Sequence, residues 1–146
     1  MMSEAPARSP GAAAVRLGLA YFAVVFAIGC VLGALRDLLL APRLGAPPAE
    51  LLELPVMVAA SWVVARGLLR RSRPGAGVRL GAGVLALLCL LGLELTLVLA
   101  LPGRSVEDWI AARRSAVGAV WVLAMIAFAL LPLLAGAGER VRRPER

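Results

Sequence analysis

The chain has 146 residues, of which 61% are hydrophobic, and it carries a formal net charge of +7 with no histidine. This composition excludes an ordinary soluble domain, which is about 45–50% apolar. The absence of imidazole excludes histidine-based acid–base catalysis and histidine-ligated metals. All sixteen basic residues are arginines that flank the apolar runs, where they indicate membrane topology and contact with anionic lipids and no binding of nucleic acid.

Four apolar runs are each long enough to span a bilayer, which takes about 20 helical residues. They cover about residues 17–40, 49–69, 80–101 and 116–134. Helix is the expected structure because unpaired backbone groups are costly in lipid, and because the runs lack the alternation of a barrel strand. We therefore predict an all-α polytopic membrane protein, in which residues 17–135 form a compact bundle of four transmembrane helices.

Short polar segments flank the predicted bundle. Residues 1–16 are rich in Pro, Ala and Ser and predict a disordered tail, and residues 136–146 form a basic tail. A cleaved signal peptide is the alternative for the N-terminus, because Ala27-Ile28-Gly29-Cys30 resembles a lipoprotein cleavage box. The residues after Cys30 continue the apolar run, which favours an uncleaved first span.

The arginines are distributed unequally between the two sides of such a bundle. One side holds eleven arginines and the other side holds five. The eleven lie in the two tails and between the last turn of the second span and the start of the third. Cytoplasmic segments carry the excess of arginine. We therefore predict a bacterial inner membrane protein with both termini in the cytoplasm and with anionic lipids at its cytoplasmic face.

Three charged residues interrupt the apolar runs near the opposite side. Glu94 lies in the third span, roughly 10 Å from its end at 1.5 Å per residue, where a carboxylate costs roughly 2.5–3.5 kcal/mol to insert. Arg36, near the end of the first span, is its predicted partner, and Glu53 in the second span can reach the same arginine. We predict an outward-facing intramembrane cluster of Arg36, Glu53 and Glu94.

Other polar and small residues surround this predicted cluster. Asp37 is expected to pair with Arg43 or to meet solvent, and Glu50 is expected to stabilise the positive N-terminal end of the second helix. Gly29 and Gly33 form a G-x-x-x-G pattern on the face that carries Arg36. This pattern predicts close helix packing inside the bundle.

A short helix is predicted before the fourth span. Ser105-Val-Glu-Asp108 has the pattern of an N-cap followed by an acid three residues later, and Val106, Trp109 and Ile110 share one face. This pattern is typical of an interfacial helix that tryptophan anchors. The alternative is that the stretch forms the first turns of the fourth helix.

The small and charged residues of the spans lie in several short motifs: Gly33-Ala-Leu-Arg36, Pro42-Arg43-Leu-Gly45, Ala49-Glu50-Leu-Leu-Glu53-Leu-Pro55, Ala65-Arg66, Glu94-Leu95-Thr96 and Pro132. In these motifs the chain resembles an uncharacterised family of small four-span proteobacterial membrane proteins, over about residues 17–135. The resemblance implies the four-span architecture and singles out these positions, and it implies no activity. Where that family tends to have Arg-Asp-Pro before a glycine, this chain has Arg113-Arg114-Ser115 before Gly118.

The pattern of side chains favours a protein that is not an enzyme. It contains no recognisable nucleophile–base pair or set of metal ligands, so we expect no catalytic residue, no metal and no cofactor. We interpret the chain as an accessory or assembly subunit that binds another membrane protein or a second copy of itself. The alternative is a small transporter or channel in which Glu94 is a proton- or cation-coupled site. A watery cavity that reaches Glu94 would favour transport, and a dry ion pair would favour the structural role.

Overall fold

The computed structural model describes residues 9–100, 102–103 and 105–137, and this part of the chain is helical apart from short turns. Its elements are α1 (Pro10–Leu35), a π-helical turn (Arg36–Leu40), α2 (Ala41–Leu44), α3 (Ala46–Ser72), α4 (Ala76–Ala100), α5 (Val106–Ala112) and α6 (Ala116–Ala137). Four helical segments are long and apolar enough to cross a membrane: α1 with its extension to Leu44, α3, α4 and α6. The predicted all-α, four-span architecture is confirmed, and the chain is a multi-pass membrane protein.

The first helix begins earlier than the sequence predicts. Ser9 caps it, because the Ser9 hydroxyl oxygen accepts a hydrogen bond from the backbone N–H of Ala12 at 3.3 Å. Pro10 occupies the first turn, where backbone N–H groups have no acceptor within the helix, so the missing N–H of proline costs no hydrogen bond. Residues 10–16 are therefore helical, which corrects the expectation of a disordered tail over this stretch. Residues 1–8 and 138–146 of the two predicted tails lie outside the described residues.

The four long helices form a ring. α1 packs against α3 and α4, and α6 packs against the same two helices. α1 and α4 run in the same direction, since Gly18 lies against Ala82 near the start of each helix. α4 and α6 run in opposite directions, since Arg79 lies against Gly136 and, further along α4, Gly83 lies against the backbone carbonyl of Ala129. The core between them contains Tyr21, Val25, Ala65, Leu69, Ala86, Phe128 and Ala135.

The predicted G-x-x-x-G motif of α1 faces α3. A Cβ atom at Gly29 would lie 3.2 Å from the Met57 methyl carbon, and one at Gly33 would lie 3.9 Å from Oε1 of Glu53. These are ordinary or slightly tight contacts with side chains. At Gly83, in contrast, the backbone of Ala129 leaves no room for a Cβ atom. The motif lies in the bundle interface as predicted, but the tightest helix crossing is elsewhere.

The connection from α1 to α3 remains helical almost throughout. The backbone N–H of Ala41 donates to the carbonyl oxygen of Arg36, five residues earlier, which defines the widened π turn. Pro42 follows directly, and a proline cannot donate a helical hydrogen bond and crowds the carbonyl four residues before it. Gly45 then reverses the chain with a φ of +85°, a conformation that favours glycine.

Because successive long helices alternate in direction, the chain turns group at two ends of the bundle. We call the end that contains residues 36–53, the last turns of α4, all of α5 and the first turns of α6 the α5 end. We call the opposite end, where α3 turns into α4 at residues 73–75, the Arg73 end. All three predicted cluster residues belong to the α5 end.

Candidate functional site

Arg36 bridges two carboxylates at the α5 end. Its Nη1 lies 2.8 Å from Oε2 of Glu53, and its Nε lies 2.9 Å from Oδ1 of Asp37. The Arg36 and Glu53 side chains are 30% and 13% exposed, so the pair is largely enclosed, whereas Asp37 is 65% exposed. The predicted contact between Arg36 and Glu53 is present. Of the two alternatives for Asp37, pairing with Arg43 is not seen, and the exposed Asp37 side chain meets solvent while it binds its neighbour Arg36. Arg43 is exposed on α2.

Glu94 binds a different arginine from the predicted one. Its Oε2 lies 3.4 Å from Nη2 of Arg113, which follows α5, and this contact replaces the expected pair with Arg36. The physical reason is that Glu53 and Asp37 already bind the Arg36 guanidinium on the α1–α3 side. α5 packs against α4 and brings Arg113 to the half-buried carboxylate of Glu94. The predicted single cluster is therefore two separate ion-pair groups at the same end of the bundle.

Two tryptophans enclose the guanidinium of Arg113. Its Cζ lies 3.8 Å from the ring centroid of Trp121 and 4.9 Å from that of Trp109. The two indoles meet edge to face, with centroids 6.2 Å apart. Each such cation–π contact contributes about 0.5–2 kcal/mol, with the larger values where water is excluded. We call Trp109, Trp121 and Glu94 the tryptophan cage.

The local fold of the α5–α6 segment holds the tryptophan cage in shape. Ser105 caps α5 by accepting a hydrogen bond from the backbone N–H of Asp108 at 3.0 Å, as the sequence predicts. Ser115 caps α6 in the same way, accepting from the N–H of Gly118 at 3.0 Å. Gly118 packs directly on the backbone of Ala112 and Arg113, where no Cβ atom fits. The connection is thus tight, and the Arg113 side chain points from it into the cage.

Sequence reasoning missed the tryptophan cage, although part of its signal was available. Trp109 and Arg113 are four residues apart, a spacing that places side chains on one face of a helix. Trp121 lies one to two turns into the fourth span. What the sequence does not indicate is that α5 folds back so that both indoles meet the same guanidinium.

Glu50 contributes to the electrostatic environment of both ion-pair groups. It is half-buried on the first turns of α3, and it is close enough to interact with both Arg36 and Glu94. Its carboxylate attracts the first and repels the second, which follows from the signs of the charges. Of the neighbouring charges, Glu50 has the weakest effect on each group, so the two ion-pair groups are largely independent.

A small cavity lies deeper in the bundle than these charges. Its volume is about 90 Å³. All four long helices line it, and the lining contains one polar side chain, Ser61, and no charged residue: Val25, Phe26, Gly29, Leu54, Met57, Val58, Ser61, Leu90, Ala124, Met125 and Phe128. Such a lining favours apolar contents, because a buried water molecule needs two to four polar partners. Leu90 is one turn from Glu94, but Glu94 itself does not line the cavity.

Tyr21 and Arg79 are buried residues with polar groups that the sequence reasoning did not single out for a role. Tyr21 is 1% exposed and lies beside Ser61 at the centre of the bundle, where its hydroxyl donates to the carbonyl oxygen of Phe128 at 3.1 Å. Arg79 is 6% exposed at the Arg73 end and lies against Gly136, in the space that a Cβ there would occupy. A guanidinium at the C-terminal end of α6 is favourable because the helix dipole is negative there.

Neither a metal centre nor a related protein explains these groups. Within the described residues, no three His, Cys, Asp or Glu side chains are close enough together to hold a metal ion. No protein-family model, curated protein or solved structure matches the chain. The α5 end and the cavity beneath it are therefore the features of the molecule that bear on its function.

Proposed function

We propose that this protein is a non-enzymatic accessory or assembly subunit of a membrane complex. One observation carries the proposal: Glu94, a carboxylate inside the span formed by α4, is paired with Arg113 and does not line the cavity. A transport path through the bundle would need a polar cavity that runs inward from that carboxylate. The cavity between the helices is instead apolar and ends short of Glu94.

The ion pairs support a structural role for the α5 end. Arg36 joins the end of α1 to α3 through Glu53, and Arg113 joins α5 to α4 through Glu94. Pairs of this kind specify which helices pack together more than they increase stability, because desolvation offsets most of their attraction. A rigid end with exposed groups such as Asp37, Arg43 and Ile110 is a surface suited to contact with a partner.

The experiment is purification of the tagged protein from native membranes in mild detergent, with quantitative mass spectrometry of what accompanies it. We expect one or a few membrane proteins in constant ratio to the chain, or a defined homo-oligomer. Two variants test which end of the bundle contacts the partner. Arg114→Glu changes an exposed residue at the α5 end, and Arg70→Glu is the matched change at the Arg73 end. Recovery of the chain alone and monomeric would contradict the proposal.

A second candidate function is proton- or cation-coupled transport through Glu94. The observation that favours it is the length of the Glu94–Arg113 contact, 3.4 Å, with side chains 28% and 23% exposed. Such a contact is longer than an ordinary charge-assisted hydrogen bond and can open. The test is proton flux into liposomes that contain the purified protein. Flux that Glu94→Gln abolishes would favour transport, and equal flux in protein-free liposomes would favour the accessory role.

We further propose that the chain lies in a bacterial inner membrane with the Arg73 end in the cytoplasm. Arg66, Arg70, Arg73 and Arg79 lie at this end of the bundle, and anionic lipid headgroups attract such residues. The family resemblance at Arg36, Glu53 and Glu94 agrees with a bacterial origin. Family membership stays a prediction.

A further inference from the structure

We propose that the tryptophan cage is a binding site for a small organic cation with a guanidinium group, and that Arg113 fills this site when no such cation is bound. The inference goes beyond the accessory role. It rests on the chemistry that surrounds Arg113: two indole faces and one carboxylate. Aromatic faces combined with a negative group are the usual means by which proteins bind organic cations.

The dimensions of the tryptophan cage fit a planar cation. The guanidinium carbon of Arg113 lies 3.8 Å from the centroid of Trp121, which is a stacking distance, and the second indole stands at 83° to the first. One ring therefore covers a face of the guanidinium while the other closes its side. Glu94 supplies the opposite charge, and Trp109 lies beside that carboxylate as well. A free guanidinium group can make the same three contacts.

Arg113 is held in the cage loosely enough to be displaced. Its single hydrogen bond to Glu94 is 3.4 Å long, and its buried Nε donates to no acceptor among the described residues. The flexible arginine side chain can swing out while the tight turn at Ser115 and Gly118 stays in place. Since the Arg113 and Glu94 side chains are 23% and 28% exposed, the cage is open on one side to an entering molecule.

The other arginine–tryptophan contact in the described part of the chain shows what the tryptophan cage adds. Arg66 lies over Trp62 at 5.9 Å from the ring centroid, one turn along α3 and exposed. It has one indole at a longer distance and no second ring or described carboxylate contact. The α5 end therefore combines three recognition groups where α3 offers one, which is why the site is assigned to the α5 end.

The experiment is titration of the full-length protein in detergent with agmatine, a small guanidinium cation, followed by tryptophan fluorescence. Trp62→Phe removes the third tryptophan of the chain, so that only the two cage residues report. N-(4-aminobutyl)urea is the matched ligand, because it keeps the ammonium group and the planar head of agmatine and lacks the guanidinium charge. In this background we expect saturable quenching by agmatine and none by N-(4-aminobutyl)urea.

Arg113→Ala tests whether the side chain of Arg113 competes with the ligand. We expect the apparent Kd for agmatine to fall by about tenfold or more, because the apparent affinity scales with the fraction of protein in the competent state. Adding Glu94→Gln should raise that Kd by about tenfold through loss of the charge. Arg114→Ala, which changes the exposed neighbour, should behave as the parent protein.

Three outcomes would overturn the proposal. They are no saturable quenching in Arg113→Ala, equal quenching by agmatine and N-(4-aminobutyl)urea, and no binding to the protein that retains Arg113. If circular dichroism shows that Arg113→Ala is not folded, Arg113→Met takes its place, because it keeps an unbranched apolar stem against the indoles. The same expectations and the same contradictions then apply to that variant.

Discussion

The hydroxyl of Tyr21 on α1 donates to the backbone carbonyl oxygen of Phe128 on α6, at 3.1 Å. In an uninterrupted helix this carbonyl would accept from the N–H of residue 132, four positions later, but residue 132 is a buried proline and has none. A freed carbonyl in the bilayer core needs another donor. Tyr21 supplies it, and its ring stacks on that of Phe128 with centroids 4.8 Å apart. One side chain thus completes the backbone of α6 and joins two helices.

The first prediction concerns this hydrogen bond. Tyr21→Phe keeps the stacked ring and removes only the hydroxyl, so it should destabilise the protein by about 0.5–2 kcal/mol, the range for hydrogen bonds between membrane helices. In a Pro132→Ala background the same change should cost much less, because the alanine N–H then donates to the Phe128 carbonyl. Unfolding in detergent mixtures measures the four proteins. Equal costs of Tyr21→Phe in both backgrounds would show that the freed carbonyl is not what Tyr21 serves.

The four-span fold could be predicted because lipid leaves so few alternatives. A run such as residues 80–101 must form a helix in the bilayer, whatever its neighbours are. The helix ends were less predictable, since a helix can continue past the hydrocarbon layer where a cap allows it. Ser9 and Pro10 extend α1 in this way, and the widened turn before Pro42 carries helical structure almost to Gly45.

The candidate site was predictable only where its partners are close in sequence. Arg36 and Glu53 are 17 residues apart, on two helices that a short connection forces side by side. The pairing of Glu94 depends on α5 folding back over α4, and no pattern in the sequence specifies that angle. The role of Tyr21 could have been predicted from the sequence. A lone tyrosine in one span is a hydrogen-bond donor, and a proline in another span leaves a backbone carbonyl without its helical donor.

The second prediction is that each ion pair is coupled within itself. Thermal stability in detergent should give an interaction energy of about 0.5–3 kcal/mol for the cycle of Arg36→Leu with Glu53→Leu, as is usual for residues in contact. The cycle of Glu94→Leu with Arg113→Leu should give a value in the same range. In both cycles each single variant should lose more than half of the free energy of unfolding that the double variant loses, because each single variant leaves one charge unpaired.

The matched control for these cycles is the pair that the sequence suggested, Arg36→Leu with Glu94→Leu. Since each residue has a different partner, the two effects should add to within about 0.5 kcal/mol. A strong coupling between Arg36 and Glu94, together with additive effects at Glu94 and Arg113, would mean that the charges are arranged as one cluster after all.

The third prediction is that the Arg73 end faces the cytoplasm, which follows from the excess of arginine there. The two native cysteines, Cys30 and Cys89, are first replaced by alanine. In that background Arg114→Cys should react with a membrane-impermeant maleimide in spheroplasts, and Gly75→Cys should react only after the membrane is broken. The reverse pattern of labelling would invert the topology and place the tryptophan cage on the cytoplasmic side.

The fourth prediction separates a packing glycine from an exposed one on the same helix. The carbonyl of Ala129 occupies the space that a Cβ at Gly83 would need, whereas nothing lies within 4 Å of such an atom at Gly92. Gly83→Ala must push α4 and α6 apart, so it should destabilise the protein by about 1–3 kcal/mol or more. Gly92→Ala should be neutral or stabilising by up to about 1 kcal/mol, because alanine restricts the unfolded chain and favours helix. Thermal stability of the two variants in one detergent gives the comparison. If Gly83→Ala were as stable as Gly92→Ala, α4 and α6 would not cross at Gly83, and the ring order of the bundle would have to be revised.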